Sequence, residues 1–308
     1  MNAKKSKKIV VLATGGTIAG IAADTSNPQN YSAGALSGAD LLTGLSADVS
    51  SVQVEDIAHV DSKDMSFEIW RTLLLRVSEC LQDDRVHGVV ITHGTDTLEE
   101  TAYFLQAVLN PKKPVAFTCA MLPANAPDSD GPKNLSDAIE WVMEPKSQGV
   151  SVVCAGAVHP AISVQKVNSQ AMNPFQSMVS PNLPKALSVP SVEEFLAVKK
   201  WPRVEVVMNY VGSDGFLVKQ LLNDQPPAGW VVAGTGNGTM SRALEDALVQ
   251  AQQKGAHVIR ASRCAWGGVQ TRDTDRFTHA EVLTLPQARV ALFLHLIHMQ
   301  SGLAESAR

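Results

Sequence analysis

Apolar residues along this chain come in two textures. Short continuous runs at 8–14, 88–93, 114–121, 149–157, 204–210, 230–234 and 257–262 are rich in Val, Ile and Ala, and they predict buried strands. Longer stretches at 66–81, 97–109, 134–143, 214–223, 240–254 and 286–299 repeat their apolar residues every three or four positions, and they predict helices. Strand and helix alternate, so the expected fold class is α/β, with mostly parallel strands covered on both faces. The stretch 286–299 is apolar on most of its circumference, which predicts deep burial or a subunit contact.

Periodicity lapses over 173–203, where Pro174, Pro181, Pro184, Pro190 and Pro202 fall and only Glu193-Glu194-Phe195-Leu196 suggests a short element. The expected organisation is a larger N-terminal α/β domain over 1–190, a linker over 191–203 and a smaller C-terminal α/β domain over 204–308. Composition agrees with a globular chain: of 308 residues, 45% are hydrophobic and 18% charged, enough to fill sizeable cores.

A net charge of -4 gives no general attraction to nucleic acid or anionic membranes, so neither is an expected partner and a small-molecule substrate fits better. The start, Met1-Asn2-Ala3-Lys4-Lys5-Ser6-Lys7-Lys8, is basic, but only Ile9 to Ala13 follow before glycines intervene. It reads as a solvated tail rather than a signal peptide. No apolar run approaches the roughly 20 residues that span a bilayer. Cys80, Cys119, Cys154 and Cys264 form no CxxC pair and read as buried free thiols, which favours the cytoplasm.

Two threonine-bearing turns carry the candidate chemistry. Ala13-Thr14-Gly15-Gly16-Thr17-Ile18-Ala19-Gly20 follows the first strand, and His93-Gly94-Thr95-Asp96-Thr97 follows the second. Threonine is a weak nucleophile at its free pKa, so amide hydrolysis through an acyl-enzyme needs its hydroxyl exposed in a turn beside backbone N–H groups and an acid-base partner. Thr97-Leu98-Glu99-Glu100 matches a capping box, which predicts that Thr97 caps the following helix and that Thr95 and Asp96 lie just before it. In parallel sheets ligands bind at that end of the strands.

Together these turns resemble the asparaginase/glutaminase family. The resemblance extends through Tyr31-Ser32-Ala33-Gly34, Asp61-Ser62-Lys63-Asp64-Met65, Glu99 to Leu105, Ala120-Met121, Asp130-Gly131-Pro132-Lys133-Asn134-Leu135, Gly234-Thr235-Gly236-Asn237-Gly238 and Pro286 to Val290. It is nearest to the bacterial L-asparaginases. That resemblance implies a two-domain fold, a homo-oligomer assembled as a tetramer or dimer of dimers, and L-asparagine as substrate, with L-glutamine a second one.

Position by position, the resemblance implies Thr17 as nucleophile, Tyr31 as its proton-transfer partner, and Thr95, Asp96 and Lys166 as a second catalytic group. It implies Ser62 on the substrate α-carboxylate, Asp96 on the α-ammonium and the main chain around Ala120 on the leaving amide. No cofactor and no metal are expected. Taken singly, Asp96 reads as a turn-forming residue, Ser62 as a loop serine and Lys166 as a solvated lysine.

The chain departs from the family pattern in places. Lys63 replaces a glutamine that contacts the substrate amine in many secreted relatives, Thr239 replaces an asparagine and Leu122 an arginine. The segment 263–285 is shorter, leaving Asp273, Asp275 and Glu281 as candidates for an acidic residue lent by a neighbouring subunit. The run Gly234 to Gly238 lacks nucleotide-binding spacing and reads as a tight turn. His295 and His298 stand three apart on one helix, a metal-ligand spacing that no nearby Asp, Glu or Cys supports. Two rival functions remain: a glutaminase-asparaginase or an amidase for a modified asparagine, and a non-catalytic amino-acid-binding protein on the same scaffold.

Overall fold

A computed structural model describes residues 7–43, 45, 49–177 and 187–306, with side chains to residue 302. Of the basic tail, Met1 to Ser6 lie outside the described residues, as do Pro181 and Pro184. The chain divides into two compact units, Met1–Ser177 and Met178–Arg308.

The first unit contains strands β1 (Lys8–Gly15), β2 (Ile21–Ala22), β3 (Tyr31–Ser32), β4 (Val52–Val60), β5 (Val86–Thr92), β6 (Val115–Thr118), β7 (Val150–Cys154), β8 (Ala157–Pro160), β9 (Val164–Lys166) and β10 (Phe175–Ser177). Its helices are α1 (Gly38–Leu41), α2 (Phe67–Gln82), α3 (Leu98–Leu109) and α4 (Gly131–Met143). The main sheet has the order β4-β1-β5-β6-β7-β8, parallel except for β8. The continuous apolar runs of β1, β5 and β6 are buried on both faces, as an interior parallel sheet requires. On one face Leu135, Ala138, Ile139 and Val142 of α4 pack on Ile9, Val11, Val90 and Ala116, and the same cluster takes in Ile18 and Ala120. Elsewhere in this unit Trp70 of α2 stacks on Phe104 of α3 with ring centroids 4.5 Å apart.

The second unit contains β11 (Val204–Met208), β12 (Gly229–Gly234), β13 (His257–Ser262) and β14 (Thr278–His279), a parallel sheet in that order. Its helices are α5 (Val192–Leu196), α6 (Phe216–Asn223), α7 (Arg242–Gln253) and α8 (Leu285–Ser306). Trp230, Val232 and Val258 meet Val218 and Leu222 of α6 and Leu244 and Leu248 of α7. Leu292 and Leu296 of α8 approach Gly229 so closely that a Cβ there would lie 2.8 Å from Leu292 Cδ2.

Several expectations are modified. The strand expected over 149–157 is two strands, because Ala155 at φ 52° and Gly156 at φ 72° form a tight reversal between β7 and β8. The run 114–121 leaves the sheet after Thr118, and its last residues form a loop at the sheet's C-terminal edge. Thr97 occupies the N-cap position of α3 without capping it, since its hydroxyl donates to the Ser62 carbonyl at 2.7 Å. The stretch 191–203 belongs to the second unit and holds α5, where Ser191 and Glu194 form the reciprocal capping bonds. Cys80, Cys119 and Cys154 are buried free thiols, with Cys119 Sγ donating to Cys154 Sγ at 3.5 Å, whereas Cys264 is exposed. The apolar residues of α8 from Val290 to Leu294 are buried, so the burial reading applies to it.

Candidate active site

The two threonine turns leave the C-terminal ends of neighbouring strands β1 and β5. Gly15 and Gly16 adopt φ 102° and 79°, a region costly for any residue with a Cβ. Space demands glycine as well: a Cβ on Gly16 would lie 2.4 Å from the Gly94 nitrogen, and one on Gly94 would lie 2.6 Å from Ser62 Oγ. The glycines therefore let three segments, carrying Thr17, Thr95 and Ser62, meet backbone to backbone.

Thr17 begins a single 3₁₀ turn, Thr17–Ala19, and is buried. Its Oγ1 lies 2.7 Å from the Tyr31 hydroxyl. Tyr31 reaches it from the β2–β3 hairpin, and its ring rests on Gly20, where a Cβ would come within 2.7 Å of Cδ2. The pair is thus fixed by packing on both sides.

Beside the second turn, Lys166 Nζ on β9 donates to Thr95 Oγ1 at 2.7 Å and to Asp96 Oδ1 at 2.6 Å. The lysine side chain is 16% exposed, the aspartate 57%. The lysine side chain thus lies mostly within the site while its carboxylate partner stays open to solvent. Ser62 is buried, and its Oγ accepts the Asp96 N–H at 3.2 Å, tying the Ser62 turn to the second threonine turn. The structure therefore brings together Thr17 with Tyr31, and Thr95 with Asp96, Lys166 and Ser62.

Ala120 is buried in the loop that follows β6. The next two N–H groups, of Met121 and Leu122, donate to the Asp130 carboxylate at 2.9 and 3.0 Å. Asn134 Nδ2 donates to the Cys119 carbonyl and to Asp130 Oδ2, both at 3.0 Å, and its Oδ1 accepts from the Ala155 N–H at 2.9 Å. Asp130 and Asn134, at the start of α4, hold this loop in one conformation. Neither was given a role from sequence; the signal was their spacing of four, which puts both on one helix face.

Two buried titratable groups set the local electrostatics. His93 is fully buried, and loss of hydration pushes its pKa down to about 4, partly countered by its bond to the Gly94 carbonyl. It is neutral at pH 7, with Nδ1 donating to that carbonyl and Nε2 accepting from Thr101. Glu99, in the first turn of α3, is raised to about 7 by burial.

Lys63 points away from this cluster's hydrogen bonds: its Nζ pairs with Asp61 at 2.5 Å and Asp64 at 3.5 Å, and the side chain is 63% exposed. In the second unit, His295 Nδ1 accepts from the Ser188 N–H at 3.1 Å, and His298 lies 3.3 Å from Glu194, a neighbour that sequence spacing did not indicate. Among the described residues no group of three or more His, Cys, Asp or Glu is arranged to hold a metal ion. The Gly234–Gly238 run closes a turn bridged by Thr235 and Thr239, and the Asn237 amide clamps the Gln270 backbone at 2.9 and 2.7 Å.

The chain is similar to known proteins over most of its length. The family description "Asparaginase, N-terminal" matches residues 8–193, and "Glutaminase/Asparaginase C-terminal domain" matches 203–304. The chain is 33% identical to L-asparaginase 2 of Escherichia coli (strain K12), covering 94% of this chain and 88% of that protein. It is 32% identical to the glutaminase-asparaginase of Pseudomonas fluorescens biotype A, covering 88% of this chain and 80% of that protein. Its fold matches the crystal structure of "Probable Cytoplasmic L-asparaginase from Campylobacter jejuni" with a TM-score of 0.84 and 32% identity, covering 94% and 95% of the two chains. The fold and site define an α/β amidohydrolase scaffold with paired threonine turns. The chain belongs to the asparaginase family.

Proposed function

We propose that this protein hydrolyses L-asparagine to L-aspartate and ammonia through an ester formed on Thr17. The observation that carries the reading is the pairing of Thr17 with Tyr31 on one turn and of Thr95 with Lys166 and Asp96 on the turn packed against it. As Oγ1 attacks the side-chain amide carbon, the Thr17 proton moves to the Tyr31 oxygen while the Tyr31 proton moves on towards the departing nitrogen, which leaves as ammonia when its C–N bond breaks. Backbone N–H groups at the two turns hold the oxyanion, each worth about 3 kcal/mol in comparable sites.

Water then attacks the ester. Thr95, polarised by the Lys166 ammonium that Asp96 orients, positions this water, and the water's proton passes to the Thr17 oxygen as the ester C–O bond breaks, which releases aspartate and restores the Thr17 hydroxyl. Ser62 receives the substrate α-carboxylate, Asp96 its α-ammonium and the Ala120 main chain its amide nitrogen, which together bring a short side chain within reach of the hydroxyl. The Asp130–Asn134 network keeps the Ala120 main chain in place for that contact. Glutamine is the alternative substrate, as the name of the Pseudomonas fluorescens relative suggests.

Ammonia release from asparagine, glutamine and β-aspartyl compounds tests the reading. Turnover is expected, with asparagine preferred. Saturable binding of asparagine with no ammonia at all would instead favour the binding-protein alternative.

Because Lys63 already has two carboxylates and lies mostly in solvent, it does not repel the substrate amine. Lys63→Gln is expected to leave KM for asparagine within about twofold, since no hydrogen bond to the substrate, worth about 1 kcal/mol, is gained or lost. A KM shifted tenfold in either direction contradicts this placement.

The active form is a homo-oligomer, a tetramer in this reading. On the second unit Val206, Met208 and Tyr210, at alternate positions from β11 onward, are exposed together with Val211, Phe216 and Leu217. An apolar surface of this kind is normally covered by a partner. Of the three acidic candidates for a residue lent between subunits, Asp275 is committed to the buried Arg260 guanidinium. Sedimentation at working concentration is expected to show no active monomer; a monomer with full turnover would count against the assembly. The compartment proposed is the cytoplasm, as the name of the Campylobacter jejuni relative suggests. Among the described residues no helix is long and apolar enough to cross a membrane.

A further inference from the structure

Lys166 sits on a three-residue strand that pairs only with β10 among the described strands, in the antiparallel register Phe175 opposite Lys166. The neighbouring N–H of Val167 bonds to Pro174. The Lys166 N–H turns the other way and donates to Glu99 Oε2 at 3.1 Å. Glu99 lies 67 residues earlier, one position past the start of α3, the helix that follows the turn carrying Thr95 and Asp96. One carboxyl group therefore joins the main chain that carries the lysine to the helix that follows directly on the turn bearing both groups the lysine must reach.

We propose that Glu99 is a positioning residue for the amidohydrolase reaction: its carboxyl group replaces a missing strand neighbour at the edge of β9 and fixes where the Lys166 ammonium meets Thr95 and Asp96. The role rests on the amidohydrolase reading given above. Purely structural burial explains it less well. A carboxyl group without water is costly to retain, and an apolar residue at a position only 6% exposed would pack there with no such cost. The bond is also placed where small errors matter, because Lys166 Nζ must satisfy two acceptors at 2.7 and 2.6 Å at once.

Protonation adds a second consequence. Burial lifts the Glu99 pKa to about 7; the bond from the Lys166 N–H and the Lys166 charge on β9 oppose that rise, and Glu100 on its own helix adds to it. Ionised, it makes a charge-assisted bond to the Lys166 N–H; protonated, it makes a weaker neutral one. Turnover is therefore expected to rise with an inflection near pH 7.

Three variants and one substrate-free measurement test this. Glu99→Ala removes the acceptor, and kcat is expected to fall at least tenfold with KM changed less than threefold. Glu99→Gln keeps an acceptor of the same reach, so it is expected to recover most of that loss while the inflection near pH 7 disappears. Hydrogen exchange at the Lys166 amide, measured without substrate, is expected to quicken in Glu99→Ala and stay slow in Glu99→Gln. Thr17→Ala keeps Glu99 in place, so it is expected to lose turnover with the Lys166 amide still protected. Wild-type kcat and an unchanged pH profile in folded Glu99→Ala, or exchange at Lys166 that does not respond, would overturn the proposal. Slow exchange that depends on Glu99 in a protein releasing no ammonia would uphold the anchor and reject the amidohydrolase reading instead.

Discussion

Thr17→Ala is expected to yield a folded protein whose kcat for asparagine falls by about a thousandfold or more, the scale seen when a covalent nucleophile is removed. Folding should survive because the hydroxyl's one bond among the described residues is to Tyr31, and a single hydrogen bond is worth about 1 kcal/mol. The turn itself is held by Gly15, Gly16 and the Ile18 side chain in the core, none of which changes. The decisive comparison is the thermal melt beside the rate of ammonia release. A variant that melts like the parent and still releases ammonia at a comparable rate removes Thr17 from the mechanism.

Lys166→Met is expected to cost a similar factor, but at a different step. Methionine keeps the apolar stem and removes the charge, and Asp96, at 57% exposure, can then be hydrated rather than left buried and unpaired. If Lys166 and Thr95 serve the attack of water, the first turnover still forms the ester and liberates ammonia. Lys166→Met and Thr95→Val should therefore give a burst of one ammonia per site followed by slow release, whereas Thr17→Ala gives no burst. Rapid-quench measurement separates the two patterns. Equal steady-state loss without any burst in the lysine variant would move Lys166 to the first step.

The architecture was legible wherever apolar texture was strong. β1, β5, β12 and β13 are buried on both faces and read directly as continuous apolar runs. β4 was not seen, because Gln53, Glu55, Asp56 and His59 interrupt it and most of its residues are only half buried; it is an edge strand paired with β1, with Val52 and Val54 packed against the core cluster. Thr97 misled for a related reason. A capping pattern records what a side chain can do locally, and here a carbonyl 35 residues away competes successfully for the hydroxyl.

The site shows the same division. Thr17, Tyr31, Thr95, Asp96, Lys166, Ser62 and Ala120 came from resemblance to a family, since no spacing along the chain announces that residue 166 will stand beside residue 95. Glu99, Asp130 and Asn134 fell within segments that carried the resemblance, but their work is to hold backbone groups. Such roles leave no periodic mark, and they emerge only when the hydrogen bonds of the functional loops are followed to their far ends.

The most direct test of the account is to let Lys166→Met react with asparagine, quench in acid and map the mass of the peptides that carry the two threonines. The account predicts one aspartyl group in ester linkage on the peptide containing Thr17 and an unmodified peptide containing Thr95. An aspartyl ester on the Thr95 peptide, with the Thr17 peptide unmodified, would contradict it.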